Sequence, residues 1–385
     1  MKIFCIINKI GMKVGIVISS TYVGGMERQM AYWASCMTNA GHEVFVYIIG
    51  SNYQITNRKR VNISNDIVYP LYYNKYTKII SQKLFKNYLN KHKPQIIIAF
   101  QIGAIELCKQ FKQITKANFI LIGTIRGIKF ATNSALSQRY REGVSDIDGI
   151  ICNSQKSLDL INKHILFDRN LDCVNIPNII MVNKEIIFKK PNKWKILFAG
   201  TLKDVKDPMT FIKGMINVIS VNSNVEILIA GDGPLKKTML NKVRENNLQN
   251  YFKFLGFVES NEVPYHEANI VVSTSLREGS SNTILEGLAN GCLVVGTNTG
   301  GTTELLIDKP FGRLFEIGDA KVLSSVVCEF INLSESAYTN SVVMGQKYIL
   351  ENHNINDVLM KIESFISRIP SESKSVESII NVNEL

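Results

Sequence analysis

Apolar and polar positions fall along this chain in two kinds of block. The first is a short run rich in Val and Ile with no polar interruption, which predicts a strand buried on both faces. Such runs occur at 13–19 (KVGIVIS), 44–49, 96–99, 119–125 and 148–152. They recur from Trp194 (KILFAG), and at 225–230, 252–256, 270–274 and 292–295. The second kind spaces apolar residues by three or four and predicts a helix. It covers 27–39 (Met30, Ala31, Ala34, Met37), 75–92 (Tyr76, Ile79, Ile80, Leu84, Leu89 on one side), 282–289 (Ile284, Leu285, Leu288, Ala289) and 346–366. Two further helices follow Pro208 and the turn Gly231-Asp232-Gly233-Pro234. Strand and helix alternate throughout, which predicts an α/β protein with doubly wound parallel sheets flanked by helices.

The series is interrupted once. Pro177-Asn178 closes the first, residues 181–193 are polar and basic as a linker would be, and a second begins at Trp194. A chain of 385 residues suits two cores rather than one. The expected domains are therefore 1–180 and 181–345, then a terminal helix over 346–369 and a Ser/Glu/Asn-rich tail, 370–385, expected to be disordered.

Composition excludes several classes. With 45% hydrophobic and 20% charged residues the chain is an ordinary globular one. No apolar run reaches the roughly 18 residues of a membrane span. The opening MKIFCIINKIG is basic and apolar, but too short in its apolar part to read as a signal peptide, and Met12 is an alternative start. Seven cysteines are scattered without C-x-x-C spacing, which fits a reducing cytoplasm and argues for neither metal site nor disulfide frame. The net charge of +11 is uneven: residues 1–180 hold 23 Lys and Arg against 10 Asp and Glu, and residues 181–385 hold 21 against 23. A basic half suits nucleic acid, anionic lipid or an anionic substrate. Its basic positions lack interleaved aromatics and any nucleic-acid motif, so the expectation is an anionic membrane surface or phosphorylated lipid acceptor, with no nucleic acid. The cluster Arg58-Lys59-Arg60 and the basic helix 75–92 are the candidates, the latter as an interfacial helix or as a surface helix packed on a sheet.

Candidate chemistry concentrates in 270–306. A buried strand runs into the polar turn REGSSN, and a helix opens there with Ser281 or Asn282 placed to cap it. A helix N-terminus at the end of a parallel strand is an anion site. Glu278 lies in the turn and Glu286 eight positions on in the helix. Beside an anion site, carboxylates suit sugar or ribose hydroxyls. The bland alternative is a solvated loop acid and a helix-face acid.

The run E-G-x-x-x-x-x-L-E-G-L-A-x-G from Glu278 to Gly291, followed by V-V-x-T-x-x-G-G-x-x-E-L from Val294 to Leu305, resembles the donor-site signature of the family 4 glycosyltransferases. The resemblance covers about residues 13–360. It implies a retaining transferase of the GT-B fold, two Rossmann-like domains facing a cleft, with a last helix returning to the first domain. It implies that Glu278 holds the donor sugar and Glu286 the ribose. The pyrophosphate would lie at the helix start, near Gly279, Ser280, Ser281, Asn282 and Thr283, with Lys206 opposite. Gly24-Gly25, before the helix that ends in A-G-H-E-V, resembles the family's glycine loop near the acceptor and donor phosphates, and His42 there reads as structural. The implied partners are a nucleotide-sugar donor, expected to be a UDP-sugar, and a glycan or lipid-linked acceptor in bacterial surface polysaccharide synthesis. No cofactor and no metal are expected.

The chain departs from the family pattern twice. The pattern G-R-L-x-x-x-K reads Gly200-Thr201-Leu202-Lys203-Asp204-Val205-Lys206, with Thr201 for the arginine and Lys203 as a possible substitute. A T-x-H-G segment reads Thr124-Ile125-Arg126-Gly127, and an arginine cannot act as a base, although it can bind phosphate or a donor hydroxyl. These departures motivate the alternative of a non-catalytic nucleotide-sugar-binding protein that supports a partner transferase. Asp146-Ile147-Asp148 matches a D-x-D metal–nucleotide motif, but so short a motif at a helix–strand junction also suits a surface turn. No zincin, P-loop or dinucleotide motif is present.

Overall fold

The computed structural model describes residues 11–19, 24–50, 63–73, 76–166, 171–182, 189–259 and 262–370. The first half runs β1 (Lys13–Ile18), α1 (Gly25–Asn39), β2 (Glu43–Ile48), β3 (Val68–Pro70), α2 (Lys78–His92), β4 (Ile96–Phe100), α3 (Ile102–Thr115), β5 (Ile120–Ile125), α4 (Ser134–Gly143), β6 (Gly149–Cys152), α5 (Gln155–His164) and β7 (Cys173–Asn175). The second runs β8 (Trp194–Ala199), α6 (Pro208–Val221), β9 (Val225–Ala230), α7 (Lys236–Glu245), β10 (Phe252–Gly256), β11 (Ile270–Ser273), α8 (Asn282–Ala289), β12 (Leu293–Thr297), α9 (Gly300–Leu306), β13 (Gly312–Phe315), α10 (Ala320–Ile331) and α11 (Glu335–Asn352). A last helix, α12 (Ile355–Arg368), ends the described chain.

Each half holds one parallel sheet. The strand order is β3-β2-β1-β4-β5-β6-β7 in the first and β10-β9-β8-β11-β12-β13 in the second, so the same winding is used twice. Helices cover both faces, and this explains the uninterrupted apolar strands: all five residues of β4 are buried. The short β3 lies in a stretch whose pattern reads as irregular, because three half-buried residues show no period. Pro70 ends this edge strand, where a missing N–H breaks no central ladder. Polar side chains start the helices: Asn133, Ser154, Asp207, Asp319, Ser334 and Asn354 each accept a backbone N–H, with Pro208 at the first position of α6.

Two expectations need correction. The inner face of α2 is Ser81, Phe85, Leu89 and His92, whereas Tyr76, Ile79 and Ile80 are exposed by 84%, 80% and 62%. Phe85 sets the phase, and the isoleucines fall on the outer side beside Lys78 and Lys83. The single helix expected over 346–366 is two helices, broken where Asn354 accepts the Asp357 N–H at 3.0 Å. The arginine–lysine cluster at 58–60, the tail 371–385 and much of the linker lie outside the described residues.

The break lets the two helices serve different cores. Val342 and Ile349 of α11 pack in the second half's core. Val358, Ile362, Phe365 and Ile366 of α12 pack with α1 and the first sheet. A Cβ on Gly149 would stand 2.8 Å from the Phe365 ring, so the strand is bare where the ring seats. His42 fixes the same helix, accepting the Met12 N–H at 3.1 Å through Nδ1 and meeting Glu363 at 2.9 Å through Nε2. Its role is structural. Phe365→Ala is expected to destabilise the first domain by about 3–5 kcal/mol, the usual cost of emptying a buried aromatic site. Urea unfolding followed by circular dichroism measures this, and a loss under about 1 kcal/mol would mean that α12 is not held there.

Candidate active site

In open α/β sheets ligands bind beyond the carboxyl ends of the strands, where the winding reverses. Those points lie between β1 and β4 and between β8 and β11. In the second sheet two loops leave this point. The loop after β8 carries Gly200 and Thr201 and then a single 3-10 turn, Asp204–Lys206. Thr274 fixes that turn, its hydroxyl donating to the Lys206 and Asp207 carbonyls at 2.7 and 2.8 Å. The loop after β11 carries Glu278 into α8. Lys206 Nζ donates to Glu278 Oε1, and both side chains are largely buried.

The N-terminus of α8 has no side-chain cap. Ser281 occupies the cap position and is buried, but its hydroxyl makes no capping bond; Asn282 is the first helical residue. The expected cap is thus corrected, and the reason is geometric. The Asn282 side chain turns to the other domain, donating to Gly25 O at 3.1 Å and accepting from Asn178 Nδ2 at 2.7 Å. The first-turn N–H groups of α8 stay available to an anion.

Glu286 lies one turn further along. Arg28 of α1 donates to it across the cleft through Nη1, and the Tyr265 hydroxyl also bonds to it. Burial raises the Glu286 carboxyl above its ordinary range, and Arg28 and Tyr265 oppose that shift. Arg126 stands on the facing wall with its guanidinium 4.9 Å from the Trp33 ring and 5.0 Å from the Phe100 ring. Its Nη1 donates to Asn178 Oδ1 at 2.8 Å, while Nε and Nη2 are buried without a partner. Burial lowers its guanidinium to about 9, which leaves it charged at neutral pH.

One cavity of about 890 Å³ gathers these groups. Gly24, Gly25, Arg126, Gly200, Thr201, Lys206, Glu278, Ser280, Ser281, Asn282, Thr283 and Glu286 all line it. Two expected residues do not. Lys203 is exposed before the 3-10 turn and takes no place in the wall. Gly279 lies behind the wall, where a Cβ would stand 2.5 Å from the Arg126 carbonyl oxygen. Asp146 and Asp148 lie before β6, at the sheet end away from the cleft, held by Lys109 at 3.2 Å and Lys112 at 2.6 Å. The D-x-D reading is therefore replaced by two surface ion pairs. Pattern reading missed Arg28, Tyr265, Asn153 and Asn178, all of which line the cavity. Arg28, three residues after Gly25, and Asn178, after Pro177, sit beside recognised signals; Tyr265 sits beside none.

Comparison with known proteins agrees with this geometry. The model described as Glycosyltransferase Family 4 matches residues 23–180, and that described as Glycosyl transferases group 1 matches 193–332. The chain belongs to the family 4 glycosyltransferases. Among its relatives, the 2-deoxystreptamine N-acetyl-D-glucosaminyltransferase of Niallia circulans is 25% identical over 39% of this chain and 37% of its own length. The alpha-monoglucosyldiacylglycerol synthase of Streptococcus pneumoniae is 25% identical over 47% of this chain and 44% of its own. The chain thus spans less than half the length of these curated relatives. The crystal structure of Anabaena Alr3699/HepE in complex with UDP and glucose superposes with a TM-score of 0.74 at 16% identity, covering 92% of this chain and 99% of that one. The fold of this family 4 member is GT-B.

The family's glycine pattern has a steric cause in this chain. Cβ atoms on Gly300 and Gly301 would overlap the Glu278 and Gly279 carbonyl oxygens. Gly301→Ala is expected to cost about 1–3 kcal/mol through overpacking. Gly103→Ala, in α3 with nothing within 4 Å of its Cβ position, is expected to be neutral or to stabilise by up to about 1 kcal/mol. Parallel urea titrations compare them, and equal effects would refute the backbone contact.

Proposed function

We propose that this protein is a retaining glycosyltransferase that moves a sugar from a nucleotide-sugar donor, a UDP-sugar, to a glycan or lipid-linked acceptor in the synthesis of a bacterial surface polysaccharide. One observation carries the reading: the uncapped start of α8 is bracketed by Glu278 and Glu286, with Lys206 beside the first. The diphosphate lies at that helix start, Glu286 accepts ribose hydroxyls and Glu278 accepts sugar hydroxyls. In the front-face route the bond from the sugar's anomeric carbon to the diphosphate oxygen breaks. The acceptor oxygen bonds to the same face, and its proton passes to the leaving phosphate. Helix N–H groups and Lys206 stabilise the charge that grows on that phosphate. Arg126, charged at neutral pH, places a positive charge by the sugar and takes no part as a base. The same charges make a metal unnecessary. Arg126 and Thr201, standing where the family has histidine and arginine, favour one rival, a non-catalytic binder of nucleotide sugar.

The acceptor enters from the first domain. A second cavity, of about 630 Å³, opens by the reversal point of its sheet, where Ser19 Oγ donates to Gln101 Oε1 at 3.0 Å. Gln101 lines this cavity and holds φ 78°, a strained conformation for a residue with a side chain. Such groups suit sugar hydroxyls. The exposed Tyr76, Ile79 and Ile80, next to Lys78 and Lys83 near the cleft end of the sheet, form an apolar and basic knob that suits an anionic membrane on the cytoplasmic side. Among the described residues no helix is long and apolar enough to cross a membrane.

Release of free nucleotide from a panel of nucleotide sugars, in excess chelator, tests the chemistry. Glu286→Ala is expected to weaken donor binding about tenfold or more, and Glu278→Ala to lower turnover more than nucleotide binding. Full activity in both variants sinks the assignment. A loss in chelator that magnesium or manganese restores overturns the metal-free route, and binding without any release favours the non-catalytic rival.

Membrane docking is tested separately by vesicle co-sedimentation. Each basic residue near an anionic surface contributes about 1 kcal/mol, screened over a Debye length of about 8 Å at physiological salt. Binding is expected to need anionic lipid, to fall with salt and to weaken in an Ile79→Asp/Ile80→Asp variant. Binding that ignores lipid charge, or none, makes a soluble acceptor the better reading.

A further inference from the structure

Both carboxylates of the site are paired with cationic side chains. Lys206 holds Glu278 from the same domain, and Arg28 holds Glu286 from the other. The second pairing conflicts with ribose binding, because the hydroxyls need the carboxylate oxygens that Arg28 and Tyr265 contact. The side chains of Arg28 and Glu286 are only 19% and 16% exposed, and Arg28 Nε is buried with no partner. Freeing such a guanidinium and giving it nothing in return is costly.

A new partner lies within reach. Glu286 is four residues from Asn282, about 6 Å along the axis at roughly 1.5 Å per residue. The starts of α1 and α8 touch, since Asn282 Nδ2 donates to Gly25 O at 3.1 Å. A diphosphate at the start of α8 therefore falls within the sweep of an arginine rooted in the first turn of α1. The planar fork of a guanidinium also matches phosphate oxygens better than a lysine ammonium does.

We propose that Arg28 is a diphosphate ligand held in waiting on Glu286, and that donor binding is an exchange: the ribose takes the carboxylate and the guanidinium passes to the diphosphate. This rests on the reading of Glu286 as the ribose acceptor and adds to it a residue from the facing domain. The exchange makes the site discriminate against a nucleoside, which must evict Arg28 without rehousing it. It also ties donor recognition to contact between the domains.

The decisive measurement is calorimetric binding of matched pairs, uridine with UDP, cytidine with CDP, adenosine with ADP and guanosine with GDP. Each is titrated into the full chain as wild type, Arg28→Met and Glu286→Gln. For the pair that binds, Arg28→Met is expected to take the nucleoside several-fold more tightly and the diphosphate at least tenfold more weakly, so the two affinities move in opposite directions. Glu286→Gln is expected to weaken both. Equal losses for both ligands in Arg28→Met, or no change in either, overturn the exchange while leaving the ribose reading intact. Unchanged nucleoside binding in Glu286→Gln, or no binding by any pair, overturns the ribose reading and the exchange with it. Arg28→Lys keeps the charge without the fork and is expected to recover part of the diphosphate affinity; it carries the comparison should Arg28→Met prove unfolded by circular dichroism.

Discussion

The loop at Glu278–Gly279 is pressed between two backbones, and the geometry of the cleft depends on it. Gly300 and Gly301 crowd it from one side, where Gly301 N donates to Glu278 O at 3.2 Å. The Arg126 carbonyl crowds it from the other. Approach this close is open only to residues without Cβ, and Gly300 also holds φ 53°. Because the backbone at 278 is held against Gly300 and Gly301 of its own domain, Glu278 and the start of α8 keep a fixed relation to each other. The glycines of the sequence pattern are thus the means by which a carboxylate, a helix start and an arginine share one cavity.

The carboxylates at the cleft each have a positive partner, while the Arg126 guanidinium is bonded to the neutral Asn178. Glu286 meets Arg28, Glu278 meets Lys206, and Glu304 accepts the Gln155 and Lys156 N–H groups at 3.2 and 3.1 Å, at the start of α5. Glu278 and Glu286, both largely buried, would be costly there without a positive counterpart, whereas Glu304 is exposed. Two of the three counterparts come from the opposite domain, so the same contacts that neutralise the site also join its walls. Other described basic residues of the first half, such as Lys78 and Lys83 of α2, lie on its outer surface and not in the cavity wall.

The fold was legible because burial on both faces of a parallel sheet leaves an unmistakable mark, an apolar run without alternation. The cleft residues within Glu278–Glu286 were legible because backbone sterics and helix-start chemistry restrict which residues fit. Other features depend on packing that sequence spacing cannot express. The phase of α2 turned on Phe85, not on the more numerous apolar residues nearby. Asn282 looked like a cap and became a bridge, because Gly25 and Asn178 compete for its side chain. Lys203 and Lys206 are equivalent in composition, and only the turn fixed by Thr274 separates the one in the cavity from the one outside. Arg28 and Tyr265 converge on Glu286 from distant parts of the chain, so their meeting leaves no mark in the local pattern.

The two crossings between domains are tied at one place. Ile180 N donates to His353 O at 3.0 Å, and His353 Nδ1 donates to Asn178 O at 2.8 Å. Burial lowers the His353 imidazole to about 4, so the ring stays neutral and the donation persists at neutral pH. Beside this tie, α12 buries four apolar side chains in the first domain. The cleft side, by contrast, is held by polar contacts, each with a net value of about 0.5–1.5 kcal/mol, or somewhat more where charged. Relative motion of the domains therefore costs least where the cleft contacts part and most at the crossing. Asn178 belongs to both regions: its carbonyl is part of the tie, and its side chain reaches Arg126 and Asn282. A shift at the crossing is thereby carried by one residue to the facing walls of the site.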